Sequence, residues 1–167
     1  MMALALISLI SIDHSAGFAR LEGQFEGTMA FYDTFAKERR SFPISLRWTP
    51  FSDGATALFK YRFQPGQYQL SIGVISVSMD GTVWLDRNSS FEVERFDLSN
   101  WAEFCAGRSD WFQIETDRES EMGNSRMRFR YTFTKDGFVS DKSLLWAGKS
   151  AWEFSHRMEL KRVKPNP

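Results

Sequence analysis

From Arg126 to Thr134 the chain alternates without a break. Met127, Phe129, Tyr131 and Phe133 are apolar or aromatic, while Arg126, Arg128, Arg130, Thr132 and Thr134 are polar. A period of two fits no helix face and marks an antiparallel strand with one dry and one wet side. The pattern recurs. Phe42, Ile44, Leu46 and Trp48 oppose Ser41, Ser45, Arg47 and Thr49, and Ala55, Ala57, Phe59, Tyr61 and Phe63 repeat it with Leu58 on the other side. Tyr68, Leu70 and Ile72 share one parity, whereas Ile75, Val77 and Met79 share the other, which predicts a β-bulge at Gly73. Further strands are expected over 24–33, 82–87, 91–98, 111–116, 138–146 and 152–163.

Turn chemistry separates these runs. Asp53-Gly54, Asp80-Gly81 and Asp136-Gly137 predict tight turns with positive φ, and Pro65-Gly66 predicts another. Residues 13–22 read as a short helix, with Asp13 as N-cap, Gly23 as the stop, and Phe18 and Leu21 on one face. A second helical turn is expected after Asn100, where Asn100 and Glu103 have capping-box spacing and Trp101, Phe104 and Cys105 share a face. The sum is an all-β chain of about ten antiparallel strands in up-and-down order with a short N-terminal helix. A sandwich would use the same strands. The regular hairpin spacing and single leading helix favour a closed barrel, which leaves no exposed edge.

The 167 residues suffice for one domain, placed at 13–167 behind an apolar stretch at 1–12. That stretch is too short to span a bilayer. It reads as a tail packed on the body or as part of a signal peptide. A cytoplasmic location is favoured, and a cleaved signal over residues 1–16 would instead make the protein secreted or periplasmic. Lys+Arg 21 against Asp+Glu 21 gives no basic excess, so no nucleic-acid partner is expected. The single cysteine, Cys105, excludes an internal disulfide and reads as a small buried hydrophobe.

No phosphate-binding loop, nucleophile elbow or zinc-protease motif is present. Arg126, Arg128 and Arg130 form a basic row expected to pair with Glu115, Asp117, Glu119 and Glu121. In the last strand Trp152, Phe154, His156, Met158 and Leu160 share one parity, which points His156 inward with the apolar row. An inward neutral imidazole is either a haem-iron ligand or a core histidine with a hydrogen-bond partner.

Gly23-Gln24-Phe25-Glu26-Gly27, following a short helix, resembles the G-x-W-x-G opening of lipocalin-like (calycin) barrels, with Phe25 in the tryptophan place. The closing strand at 152–163 also resembles that family's last strand. The likeness is nearest to uncharacterised bacterial lipocalin-like proteins and more distant to nitrobindin-like haem proteins, whose third glycine is Met29 here. The resemblance implies a barrel that holds a small molecule. The nitrobindin-like part implies haem held by a histidine near the C-terminus, for which His156 is the matching residue.

The expected function is therefore a binding module for a small hydrophobic or amphipathic molecule. The lumen candidates are Trp48, Phe59, Tyr61, Phe129, Tyr131, Phe133, Trp152, Phe154 and His156. No cofactor is predicted from the residues, and haem at His156 is the alternative. A lipocalin-like isomerase or hydrolase is a further reading, and only His156, Tyr61, Tyr131 and Arg95 have the parity to serve it. A monomer or homodimer is expected.

Overall fold

Asp13 starts the first helix as its sequence position suggests. Its carboxylate accepts hydrogen bonds from the backbone N–H of Ser15 and Ala16 and from the Ser15 hydroxyl. The computed structural model describes residues 12–33, 37–63, 69–87, 92–121 and 123–164. Residues 1–11, Pro65-Gly66, Tyr68 and Phe91 lie outside them, with the expectations that fall there.

Helix α1 (His14–Leu21) leads into β1 (Gly23–Asp33), β2 (Glu38–Pro50), β3 (Thr56–Phe63), β4 (Gln69–Val77), β5 (Val83–Arg87) and β6 (Val93–Ser99). Helix α2 (Trp101–Cys105) interrupts, followed by β7 (Trp111–Arg118), β8 (Ser125–Thr134), β9 (Gly137–Trp146) and β10 (Glu153–Arg162). Each strand pairs antiparallel with the next, and β10 returns to β1, so the sheet closes into a ten-stranded barrel.

Gly27 makes that closure possible. A Cβ there would lie 1.9 Å from the Glu159 carbonyl oxygen on β10. The apolar faces of the strands bury an aromatic floor. Phe18 of α1, Trp101 and Phe104 of α2, and Trp84, Phe112 and Phe25 of the wall are almost fully buried. Their rings meet edge-on or stacked, for example Phe18 and Trp101 at 5.4 Å and Trp84 and Phe112 at 5.6 Å between centroids. Helix α1 is pinned across this end. The Trp101 indole N–H donates to His14 Nδ1 at 2.9 Å, and His14 Nε2 lies 3.2 Å from the Met79 carbonyl. The opposite end, where β1, β3, β5, β7 and β9 finish, has no helix over it among the described residues.

Three local expectations fail for identifiable reasons. There is no bulge at Gly73: β3 and β4 stay in register from Thr56–Ser76 to Phe63–Gln69, so Ile72 points outward at 40% exposure. Gly73 instead makes room for a ring, since a Cβ would sit 2.3 Å from Phe59 Cζ. The capping box does not form. Asn100 has φ 63 and caps no helical N–H; its amide donates to Ser109 Oγ and the Trp111 carbonyl, while Glu103 binds Arg108. Gly54 and Gly81 do take φ +68, but Gly137 has no positive φ. It is a glycine because a Cβ would meet the Leu160 carbonyl oxygen at 2.0 Å.

Candidate functional site

The strand parities decide which side chains face the lumen. Trp48, Phe59, Tyr131 and Phe133 are buried on the inner wall, and Tyr61 and Phe129 are partly buried against the same cluster. His156 is half-buried and faces inward, its ring 6.1 Å from that of Phe129.

Trp152 and Phe154 are not in the lumen. The register of β10 on β9 shifts between Phe154, opposite Ser143, and His156, opposite Lys142, leaving Ser155 as the extra residue. Ser143 and Lys142 are neighbours on one strand and point to opposite faces, so Phe154 and His156 do too. Phe154 is 48% exposed, and Trp152 lies under the Arg128 guanidinium at 4.0 Å on the outer wall. Arg95 is also exposed, on the outer face with its partner Leu85.

The lumen also carries charged residues beyond the aromatic candidates. Asp86 shares the parity of Trp84 on β5, and Glu94 shares that of Phe96 and Leu98 on β6. Ser140 and Lys142 stand between Phe138 and Leu144 on β9, opposite Tyr131 and Phe129 of β8. The signal was available, because each is a polar residue at the parity of buried neighbours.

Burial sets the chemistry of this cluster. It pushes the Asp86 carboxyl up to about 6, helped by the nearby charge of Glu94. Asp86 Oδ1 is buried with no hydrogen-bond partner among the described residues, while the buried Ser140 hydroxyl stands beside the Tyr131 hydroxyl. Burial, then the Arg118 charge, lowers the Lys142 ammonium from its ordinary value, and its Nζ lies 5.3 Å from the Phe129 ring centre. Burial, then Lys142, pushes the His156 imidazole down to about 4, so it is neutral at pH 7. Burial also raises the Tyr61 and Tyr131 hydroxyls, with the charge of Asp86 adding to both. Arg118 and Glu94 meet at 3.5 Å nearer the rim.

The lumen is therefore polarised. An acidic wall on β5 and β6 faces cationic and neutral nitrogen donors on β9 and β10. His156 has no carboxylate within hydrogen-bond reach among the described residues; the nearby Asp141 is engaged by Arg157 at 2.8 and 3.0 Å. That leaves acid–base catalysis at His156 without an orienting partner. No group of three or more His, Cys, Asp or Glu side chains that could hold a metal ion occurs among the described residues. Cys105 is buried under α1 and burial raises its thiol to about 11, far from a thiolate at neutral pH. No described helix is long and apolar enough to cross a membrane.

No family model and no curated protein matches the chain. Among solved structures, the crystal structure of Rv2717c from M. tuberculosis superposes with a TM-score of 0.61, covering 90% of this chain and 98% of that one at 11% identity. At that identity the likeness is one of fold: this chain shares its barrel architecture with Rv2717c.

Proposed function

We propose that the protein is a lipocalin-like binding module whose ligand is a small amphipathic molecule held in the upper half of the barrel. One observation carries this reading. Asp86 Oδ1 is buried at the lumen face of β5 with no hydrogen-bond partner among the described residues. A buried unpaired polar group costs about 1–3 kcal/mol, so natural folds pair such groups with protein, ligand or ordered water. A ligand with a hydrogen-bond donor satisfies it. Met29, Phe31, Phe42 and Phe129, inward on β1, β2 and β8, offer an apolar wall beside the polar cluster, with Phe31 and Phe42 in edge contact at 5.7 Å. The test is displacement of a lumen-bound fluorescent amphiphile, anilinonaphthalene sulfonate, by dodecylamine and by dodecanoate. Asp86→Asn should weaken the amine and Lys142→Met the carboxylate. Binding of neither compound to the wild type would count against the reading.

A second reading follows from His156. It is neutral, inward and without a hydrogen-bond partner among the described residues, so it suits iron as a donor. Haem, when bound, supplies an iron atom that takes a neutral nitrogen ligand. His156 would hold it, with Lys142 available to one of its carboxylates. The acceptor that usually orients the second ring nitrogen of a ligating histidine is missing among the described residues, which is why this reading stands second. A Soret shift on haem titration, lost in His156→Ala, would support it; no shift in the wild type would dismiss it.

A further inference from the structure

The arginine row on β8 does not pair as its acidic neighbours suggest. Arg126 takes Glu115 at 2.7 Å and approaches Asp97 at 3.6 Å. Glu115 is the register partner of Arg128, so Arg128 loses its carboxylate to Arg126. Asp141 is the register partner of Arg130, and it is held by both forks of Arg157 instead. The Arg128 and Arg130 guanidinium carbons sit over indole rings, 4.0 Å from the Trp152 ring centre and 4.1 Å from that of Trp111. Neither has a carboxylate partner among the described residues. Stacking fixes a guanidinium plane and leaves its N–H edge free for a planar or tetrahedral anion.

Both arginines open onto a groove of about 560 Å³ on the outer wall, near the uncovered end of the barrel. Arg39, Ser143, Arg157 and the exposed ring of Phe154 line it further, and Ala30 and Phe31 of β1 close it on the lumen side. Four arginines line this groove against two carboxylates, Asp141 and Glu159, and those two carboxylates are in contact with Arg157. The bulge that turns His156 inward is what delivers Phe154 to this outer site.

We propose that this groove is a second binding site, on the outer wall and away from the Asp86–Lys142 cluster, for a phosphate ester. Arg128 and Arg130 grip the phosphate oxygens, and the apolar substituent rests on Phe154. A bidentate guanidinium–phosphate pair is among the stronger charge-assisted contacts at a protein surface. The ester is either a free small molecule or a lipid headgroup, and the two share this chemistry.

The test uses the full chain and phenyl phosphate as probe, followed by nuclear magnetic resonance of the arginine Nε–H groups. Phenyl phosphate should shift Arg128 and Arg130, and inorganic phosphate should do so more weakly. R128Q/R130Q should weaken binding by about tenfold or more, the equivalent of one good charge-assisted contact. R128K/R130K keeps the charge without the fork and should fall between. Phe154→Ala should weaken phenyl phosphate and leave inorganic phosphate unchanged. Arg108→Gln, which removes a paired cation elsewhere, should change nothing. Melting curves confirm that each variant is folded. Vesicle flotation then separates the sources: retention on phosphatidylglycerol-containing but not pure phosphatidylcholine vesicles, lost in R128Q/R130Q, assigns a headgroup, and binding of phenyl phosphate alone assigns a free ester. No shift at Arg128 and Arg130, or full binding by the folded R128Q/R130Q protein, overturns the proposal.

Discussion

At the scale of single residues, Asp86 and His156 carry opposed pH costs in one lumen. The Asp86 carboxyl is raised to about 6 in the fold, so between the unfolded value near 4 and pH 6 the folded state holds a proton that the unfolded state has lost. Stability from this group falls as pH rises through that window. The His156 imidazole is lowered to about 4, so below its unfolded value the unfolded state binds the proton first. Stability from this group falls as pH drops. Each effect amounts to at most about 3 kcal/mol, and the two nearly offset between pH 4 and 6. Denaturant melts of the wild type should therefore be flat in that window. Asp86→Asn should be more stable at pH 7 and should lose stability steeply on acidification, whereas His156→Gln should lose stability as pH rises from 4 to 6. A wild-type profile with the full slope of either group alone would refute the pairing. Lys142 acts on the same histidine. Lys142→Met should move the His156 titration upward, read from its ring proton resonances, because a neighbouring cation has been removed.

At the scale of elements, two contacts hold the design together. The β1–β10 seam depends on Gly27, and Gly27→Ala should cost about 3 kcal/mol or prevent closure, because the added carbon meets backbone rather than a flexible side chain. The α1 plug depends on His14. His14→Ala leaves the Trp101 indole N–H without its acceptor and should lower stability by about 1 kcal/mol, visible as a shift in the thermal midpoint. A midpoint unchanged in both variants would show that neither contact matters. Much of this was legible before any coordinates. Unbroken alternation in β2 and β8 put Trp48, Phe129, Tyr131 and Phe133 on the correct wall, and Asp13 marked the helix start. The bulge in β10 was not legible. Trp152, Phe154, His156, Met158 and Leu160 keep one parity in the chain, and only the pairing with Ser143 and Lys142 shows that the strand changes face. Asn100 was misread for a related reason: the spacing to Glu103 fits a capping box, but Ser109, Trp111 and Arg108 compete for the same side chains. Asp86 and Lys142 share the parity of buried neighbours, but a charged residue in a short strand reads as solvent-facing until the pairing fixes which face is inside.

At the scale of the whole molecule, closure divides the barrel by depth. The end under α1 and α2 is filled by indole and phenyl rings, while the far end is lined by Asp86, Glu94, Lys142, His156 and the Arg118 rim. A core built only for stability would have filled the upper half with aliphatic side chains, since burying ionisable groups without partners is costly. The fold carries that cost at the uncovered end, where Asp86, Lys142 and His156 are all shifted by burial. Binding of an amphipathic ligand at the uncovered end of the lumen is the central proposal. Native mass spectrometry of the protein purified from its own host tests it most directly. The expected result is a bound small molecule of defined mass that is released on denaturation and is diminished in the folded Asp86→Asn and Lys142→Met proteins. An unliganded mass for wild type, together with the same mass after incubation with dodecylamine and dodecanoate, would contradict it.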